Sequence, residues 1–355
     1  MEETAVKKPA LGRKLRKLLL RVLGILLTTL LLLCLFLYGV MYILCKGPSA
    51  TARDLFVRSV RETSAIGFLA GMYLSDEEIA AIESGTGGSE LESTDVSLIT
   101  VNAEKPEGPV TDAWGYTDED QDGLILVPVA GGSFTGQMLI VLDPTRVVLG
   151  CNPETIGWEG HTVEEFAQMY DAVAAINGGG FADDNGMGNG GMPNTAVVSF
   201  GKTYFGSQGV GLGFIGIDSN SILHVGLENT GDIKELDIQH GVGFGPVLVV
   251  NGKANNPKDL ESGLNPRTAI GQRSDGAMLL LVVDGRQAAS LGATYADLAE
   301  LMLEFGAVNA CNLDGGSSTL MWYKGEYVNN CASVVGIRDI PTSFVVLKEG
   351  VNADE

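Results

Sequence analysis

The chain has 355 residues, enough for one large domain or two ordinary ones, and its composition is that of a folded protein apart from 48 glycines. Its net charge is −21 and only 7% of its residues are aromatic, which argues against nucleic acid as a partner. The charge is uneven. Residues 1–21 hold seven Lys/Arg against two Glu, a net charge of +5, so the remainder of the chain carries −26.

An uncharged apolar run, residues 22–44, follows this basic stretch. About 20 apolar residues span a bilayer, whereas the apolar region of a cleaved signal peptide is usually about 7–15 residues long. We therefore predict an uncleaved single-pass anchor rather than a signal peptide. The basic residues before it place the N-terminus in the cytoplasm and the acidic bulk outside the membrane. The predicted order is a cytoplasmic tail (1–21), a transmembrane anchor (22–44), a helical spacer (45–90) and one main domain (91–350).

The remaining elements are read from the spacing of apolar residues. Residues 52–84 have helical spacing, and SGTGGSE at 84–90 is a flexible break. From there to residue 348 most apolar runs are short and read as strands. Helices are predicted over 162–173, where Thr162 and Glu165 match a capping box, and over 294–306, which begins with Thr294 and Asp297 and closes with Gly306. The predicted fold is α+β, with a large mixed, mainly antiparallel β-sheet flanked by helices after the transmembrane helix.

Four polar, glycine-rich segments lie at the ends of predicted strands. They supply the following candidate site residues: Asn177 and Gly178; Arg267 and Thr268; Asp284 and Arg286; and Asn312, Asp314, Gly315, Gly316, Ser317 and Ser318. Glycine lets a ligand approach the backbone closely, and a guanidinium presents a planar fork that suits phosphate or carboxylate. The alternatives are ordinary ones, because Asp-Gly is also a strong turn signal and most arginines form surface salt bridges. Strand ends that converge would bring these side chains into one pocket.

Several other sites are excluded or left open by the sequence. There is no Gly-x-Ser-x-Gly motif, and the three histidines lie in unrelated contexts, which disfavours a Ser-His-Asp triad. Neither zinc-ligand spacing nor a phosphate-binding Gly-x-x-x-x-Gly-Lys motif occurs. DEDQDG at 118–123 opens like a calcium loop, but Val129 occupies the twelfth position, where an EF-hand requires Glu. Cation binding by this acidic loop stays open. A Cys311–Cys331 disulfide and unpaired thiols are equally compatible with the sequence.

In order and spacing, the segments resemble the phosphodiester glycosidase family. The resemblance covers roughly residues 120–348 and rests above all on INGGGF (176–181), NPRTAIG (265–271), VDGRQAASLGATYADLAELM (283–302) and NLDGGSSTLM (312–321). One departure is that many relatives have three glycines before the serines, where this chain has two. The family's bacterial members are often described as exopolysaccharide biosynthesis proteins. The resemblance implies a glycoside hydrolase that cleaves a sugar-1-phosphodiester, such as an N-acetylglucosamine derivative, in cell-surface or extracellular polysaccharide metabolism.

The leaving group of such a reaction is a phosphate monoester, whose second pKa is only about 6. It needs charge stabilisation rather than strong acid catalysis. The resemblance gives that role to Arg267 and Arg286, and gives Asp284 or Asp314 the role of stabilising or attacking the anomeric carbon. The remaining candidates would hydrogen-bond sugar and phosphate oxygens. The sequence identifies no definite cofactor. To bind an anionic substrate, the acidic domain must use either a local positive pocket or a Ca²⁺ or Mg²⁺ ion that bridges a carboxylate and the phosphate. The alternative functions are a non-catalytic polysaccharide-binding or assembly factor and a metal-dependent phosphodiesterase.

Overall fold

The computed structural model describes residues 11–63, 66–84, 91–101, 108–109, 111–183, 188–206, 214–227, 230–333 and 336–351. Its α-helices are α1 (Leu11–Lys46), α2 (Ala50–Arg61), α3 (Asp76–Glu83), α4 (Val163–Met169), α5 (Thr230–Glu235) and α6 (Tyr295–Glu304). Short 3-10 turns lie at Gly67–Met72, Val96–Leu98, Pro144–Arg146 and Gly316–Ser318. The α+β prediction is confirmed, with the long apolar helix at the N-terminus.

Seventeen strands lie in the described part of the chain. They are β1 (Leu124–Ala130), β2 (Thr135–Val141), β3 (Val147–Cys151), β4 (Ala172–Asn177), β5 (Val197–Ser199), β6 (Lys202–Phe205), β7 (Phe214–Asp218), β8 (Leu223–Leu227), β9 (Ile238–Gly243), β10 (Val247–Val250), β11 (Lys253–Ala254), β12 (Arg267–Arg273), β13 (Met278–Val283), β14 (Ala307–Asn312), β15 (Met321–Tyr323), β16 (Glu326–Tyr327) and β17 (Thr342–Leu347).

The strands form three sheets rather than one large sheet. The orders are β1-β2-β13-β12-β14-β10-β11, β16-β15-β4-β17-β3 and β6-β5-β9-β7-β8. Every strand pairing among the described residues is antiparallel. Inward-facing residues of all three sheets share one apolar core, which includes Leu139, Ile176, Ile215 and Leu280. Because its two faces are covered, β13 reads as the unbroken apolar run MLLLVV.

Helices cover the outer faces of two sheets. Helix α6 packs on the seven-stranded sheet through Leu298, Ala299 and Met302. Burial of a large apolar side chain contributes about 1.5–3 kcal/mol, so this face holds the helix in place. Helix α4 packs on the β16-β15-β4-β17-β3 sheet. The predicted capping box is present at the start of α4, and the structure shows one at the start of α6 as well. Both helices end a few residues earlier than the sequence suggested.

The N-terminal helices precede this domain. Within the described residues one helical stretch, Leu15–Lys46, is long and apolar enough to cross a membrane, with a mean hydropathy of 2.6. Length and composition fit an anchor and a signal sequence alike. The helix itself starts at Leu11, so it extends into the predicted basic tail. Helices α2 and α3 pack together through a small separate core that includes Val57 and Ile79.

The five cysteines are free thiols in this structure. Cys311 lies in β14, where it pairs with Ile270 of β12 and Val247 of β10, and its side chain is buried. Cys331 lies in the loop after β16 and is partly exposed. Of the two alternatives that the sequence left open, the structure shows unpaired thiols.

Candidate functional site

Arg267 is held rigidly at the first position of β12. Its side chain is buried, and its Nε donates to the Ala293 carbonyl at 3.1 Å. Its Nη2 donates to the Gly263 carbonyl at 2.8 Å and to Glu62 Oε2 at 2.6 Å. The guanidinium carbon lies 4.1 Å from the centre of the Tyr295 ring, a cation–π contact. The guanidinium plane is thereby fixed, and one of its nitrogens is directed at a carboxylate.

Arg286 follows β13 and reaches the same place. Its backbone is left-handed, with φ of +57°, which turns the chain sharply after the strand. Its Nε and Nη2 donate to Asn265 Oδ1 at 3.3 and 3.0 Å, and Nη2 also donates to Thr63 Oγ1 at 3.0 Å. Burial lowers the pKa of Arg286, and the neighbouring positive charge of Arg267 lowers it further. Two cations held this close, with few counter-charges, make a site that favours an anion.

A carboxylate of the chain itself binds Arg267, one member of this pair. The Glu62 carboxylate accepts from Arg267 Nη2 and, at 3.0 Å, from Asn265 Nδ2, both through Oε2. Its Oε1 accepts from the Gly263 amide at 2.9 Å. Glu62 is the residue directly after helix α2, which is also tied down by Ser59, whose Oγ accepts from the Leu264 amide at 2.8 Å. The segment between the N-terminal helices therefore fills the arginine site with a carboxylate.

Asp314 follows β14, which pairs with the strand β12 that begins at Arg267. Its amide donates to the Gly178 carbonyl at 3.2 Å, and its own carbonyl accepts from Asn177 Nδ2 at 2.6 Å. Burial raises the pKa of its carboxyl group to about 6, although hydrogen bonds from the Ser318 hydroxyl and the Gly315 amide act in the opposite direction. A carboxyl group that titrates near neutral pH is suited to proton transfer or to nucleophilic attack.

Gly316 explains why glycine is needed between Asp314 and the serines. Its φ is +63°, a conformation that disfavours other residues. A Cβ there would lie 3.1 Å from Arg286 Nη2. A side chain at this position would therefore push on the arginine. The glycine lets the turn lie directly against the guanidinium.

Asn177, Gly178, Thr268 and Asn312 make their contacts inside the protein. Asn177 Oδ1 accepts from Thr268 Oγ1 at 2.7 Å and from the Leu320 amide at 3.3 Å. A Cβ on Gly178 would lie 2.5 Å from Thr342 Oγ1, so no side chain fits. Asn312 Nδ2 donates to the Gly245 carbonyl at 2.8 Å. These residues fasten the ends of β4, β12 and β14 to one another, and so place Asp314 beside the arginines.

Asp284 has a different environment, although it is delivered by the same kind of strand end. Its Oδ1 accepts from the Asn330 amide at 2.9 Å and from Asn329 Nδ2 at 3.3 Å, and its Oδ2 accepts from Asn330 Nδ2 at 2.9 Å. The carboxylate is buried and lines a cavity of about 260 Å³, together with Gly136 and Val328. Its hydrogen bonds hold the loop after β16, and none of them joins it to the arginine pair.

Arg338 is a site residue that the strand-end pattern missed. Its Nη1 and Nη2 form a bidentate pair with Asp183 at 2.6 and 2.7 Å, and Nη1 donates to Ser317 Oγ at 3.3 Å. Its charge lowers the pKa of Asp314, against the larger effect of burial. The available signal was scarcity, because residues 91–355 contain only five arginines. Three of the five, Arg267, Arg286 and Arg338, surround the 314–318 turn.

The strand ends of these antiparallel sheets bring arginines close to one partly buried carboxyl group, an arrangement that suits the binding of an anion. A family model for phosphodiester glycosidases matches residues 170–347. The chain belongs to the phosphodiester glycosidase family, as the sequence motifs predicted.

Two curated relatives and one solved structure are similar to parts of the chain. The Bacillus subtilis (strain 168) SPbeta prophage-derived uncharacterized protein YomE is 48% identical over 66 residues, which are 19% of this chain and 10% of the relative. N-acetylglucosamine-1-phosphodiester alpha-N-acetylglucosaminidase of Bos taurus is 29% identical over 184 residues, 46% of this chain and 33% of the relative. The chain thus spans at most a third of either relative. The zebrafish enzyme of the same name, solved as a catalytic domain auto-inhibited by its pro-peptide, superposes with a TM-score of 0.53 at 21% identity, covering 64% of this chain and 82% of that one.

Proposed function

We propose that this protein is a membrane-anchored phosphodiester glycosidase that releases a sugar from a sugar-1-phosphodiester outside the cytoplasmic membrane. The observation that carries the proposal is the arginine pair. Arg267 binds the Glu62 carboxylate in this structure and Arg286 is its buried cationic neighbour, while Asp314, with its pKa raised to about 6, directly precedes the Gly315–Gly316 turn. A phosphodiester placed on the arginines would bring its anomeric carbon towards Asp314.

The chemistry follows from the leaving group. The arginines would neutralise the phosphate as the bond to the anomeric carbon breaks, because a planar guanidinium matches phosphate oxygens. Ionised Asp314 would attack the anomeric carbon or stabilise its positive charge, which is the role of one carboxylate in most glycosidases. Ser317 and Ser318 would hydrogen-bond the substrate at the same turn. Asp284, the second carboxylate that the sequence proposed, would act through the loop at Asn329 and Asn330.

Glu62 gives the proposal a second part. Its carboxylate has three hydrogen bonds in the place where the phosphodiester anion would bind. A substrate must displace this carboxylate. The apparent affinity for substrate is therefore the affinity of the open form multiplied by the fraction of molecules in which the site is open. We infer that the form described here is closed, and that movement of the segment after α2 opens it. The zebrafish relative, whose catalytic domain is auto-inhibited by a pro-peptide, offers a parallel.

The location is part of the proposal. Seven basic residues before the apolar stretch would retain the N-terminus in the cytoplasm. Residues from 46 onwards would then lie outside, where surface polysaccharide is available. Protease added to intact protoplasts should remove the domain and leave a short membrane-bound fragment. Full protection of the domain would contradict this topology.

Product analysis tests the reaction. The full chain in detergent, and its Glu62→Gln variant, would be incubated with a panel of sugar-1-phosphodiesters that includes an N-acetylglucosamine derivative. The expected products are free sugar and a phosphomonoester. Sugar phosphate as the product would show a phosphodiesterase instead. Binding without any product, in the opened variant as well, would show a binding factor.

A further inference from the structure

A second group of charged side chains lies away from the arginine site, in the loop before β1. Carboxylate oxygens of Asp118, Asp120 and Asp122 all lie within 4.8 Å of one another. Lys324 Nζ pairs with Asp120 Oδ2 at 3.0 Å and with Asp122 Oδ2 at 2.6 Å. Its backbone amide donates to the Val173 carbonyl at 2.8 Å. Val173 and Asn177 lie at opposite ends of β4, about 13 Å apart at 3.3 Å per residue, so this group is separate from the arginine site.

The burial of Asp118 distinguishes this group from an ordinary cluster of acidic residues on a protein surface. The Asp118 side chain is only 7% exposed. Its Oδ2 accepts from the Gly123 amide at 2.8 Å, but its Oδ1 has no hydrogen-bond partner among the residues that the structure describes. A buried carboxylate oxygen without a partner is costly, and such groups are normally paired or bound to a metal.

Lysine balances only part of this charge. Three carboxylates against the Lys324 ammonium and the nearby Arg146 guanidinium leave a net charge of −1, and the ammonium contacts only Asp120 and Asp122. Carboxylate oxygens are the ligands that hard divalent cations prefer, and Ca²⁺ accepts six to eight oxygens in flexible geometry, including waters. The alternating spacing of the three acids directs them to one point, as in the first half of many calcium loops. Lys324, in this view, is a competitor for the cation.

We propose that Asp118, Asp120 and Asp122 form a calcium site that fastens the entry of the chain into the seven-stranded sheet. On binding, the ion takes the free Asp118 Oδ1 as a ligand and displaces Lys324 Nζ from the other two carboxylates. Leu124, the first residue of β1, follows Gly123 directly, and Arg146 Nη1 donates to the Asp122 carbonyl at 2.7 Å. The ion would therefore stabilise the start of β1 against its neighbours. Dissociation constants of extracellular calcium modules, about 10⁻⁴–10⁻³ M, set the expected range.

The test uses the full chain in detergent, stripped with EDTA and titrated with Ca²⁺ or Tb³⁺. Terbium emission should be sensitised by Tyr323, the last residue of β15, which directly precedes Lys324. At ten times the dissociation constant, the Tm should rise by about 3–5 °C, because binding to the folded state alone adds stability. Asp118→Asn should weaken binding at least about tenfold, and Lys324→Met should tighten it. Glu119→Gln is the matched control: it removes one charge from the same loop, and binding should stay within about twofold.

Two results would overturn the proposal. One is no change in Tm and no sensitised emission up to about 10 mM cation, in the wild type and in Lys324→Met alike. The other is equal weakening by Glu119→Gln and Asp118→Asn, because binding would then reflect only the general negative charge of the loop. Neither result touches the arginine site, so the glycosidase proposal would stand or fall separately.

Discussion

The Asp314→Asn variant should be inactive and yet more stable than the wild type at neutral pH. The carboxyl group has its pKa raised from its ordinary 3.8 to about 6 by burial. The folded state therefore holds this proton more tightly than the unfolded chain, and ionisation of Asp314 costs stability as the pH rises from 4 through 6. A shift of about two units corresponds to about 3 kcal/mol at pH 7, at 1.36 kcal/mol per unit. Asparagine is neutral and nearly isosteric, so it avoids this cost.

The gain should be somewhat smaller than that figure, about 2 kcal/mol, because asparagine weakens the hydrogen bonds from Ser318 and the Gly315 amide. Denaturant unfolding of wild type and variant at pH 4 and pH 7 measures it, with turnover measured on the same samples. The advantage of the variant should be present at pH 7 and nearly gone at pH 4. Turnover should fall at least about a hundredfold, which is the scale of a positioned acid–base group.

Asp284→Asn is the matched control. Its carboxylate accepts three hydrogen bonds from Asn329 and Asn330, so replacing one oxygen with an amide should destabilise the protein at both pH values. The reasoning would be refuted by an Asp314→Asn protein that is less stable than wild type at pH 7 and fully active. That result is what an ordinary Asp-Gly turn predicts.

Three further outcomes are expected. Glu62→Gln should raise kcat/KM about tenfold, because a charge-assisted hydrogen bond contributes about 1.5 kcal/mol or more. The control variant Glu83→Gln, on α3, should leave kcat/KM unchanged. Unchanged activity in Glu62→Gln would show that the segment does not compete with substrate. Arg286→Lys should raise KM about tenfold, since an ammonium cannot reproduce the planar fork, whereas Arg53→Lys on α2 should leave KM unaltered. Mild alkylation of the folded protein should leave turnover intact, because burial raises the pKa of the Cys151 thiol to about 11; loss of turnover with the fold preserved would contradict a non-catalytic role for the cysteines.

The parts of the fold that could be predicted from sequence have local causes. The start of α6 is marked by Thr294 and Asp297, three residues apart, and the capping box is present. The β13 run is apolar throughout because both of its faces are buried. In contrast, β9 reads IQHGVG and has no clear alternation, so it was not predicted. Division of the strands into three sheets depends on contacts between distant residues, and no local pattern reveals it.

The candidate site shows the same limit. Arg267 and Asp314 were identifiable because a proline or a glycine pair stands beside each at a strand end. Asp284 has the same local pattern as Asp314, yet its carboxylate is hydrogen-bonded by Asn329 and Asn330. Pattern alone could not separate the two acids, because the difference lies in what packs against them. The contact between Glu62 and Arg267 could not be predicted from a local pattern, because the two residues are 205 positions apart in the sequence.

The short segment between α1 and Glu62 limits the distance between the end of α1 and the arginine site. Helix α1 ends at Lys46, and the 12 residues of α2 cover about 18 Å. The three linking residues, 47–49, add at most about 10 Å, so Glu62 lies at most about 28 Å from the end of α1. If α1 is the membrane anchor that we propose, the closed site would stay within that distance of the lipid surface, and a longer link would let it stand farther away.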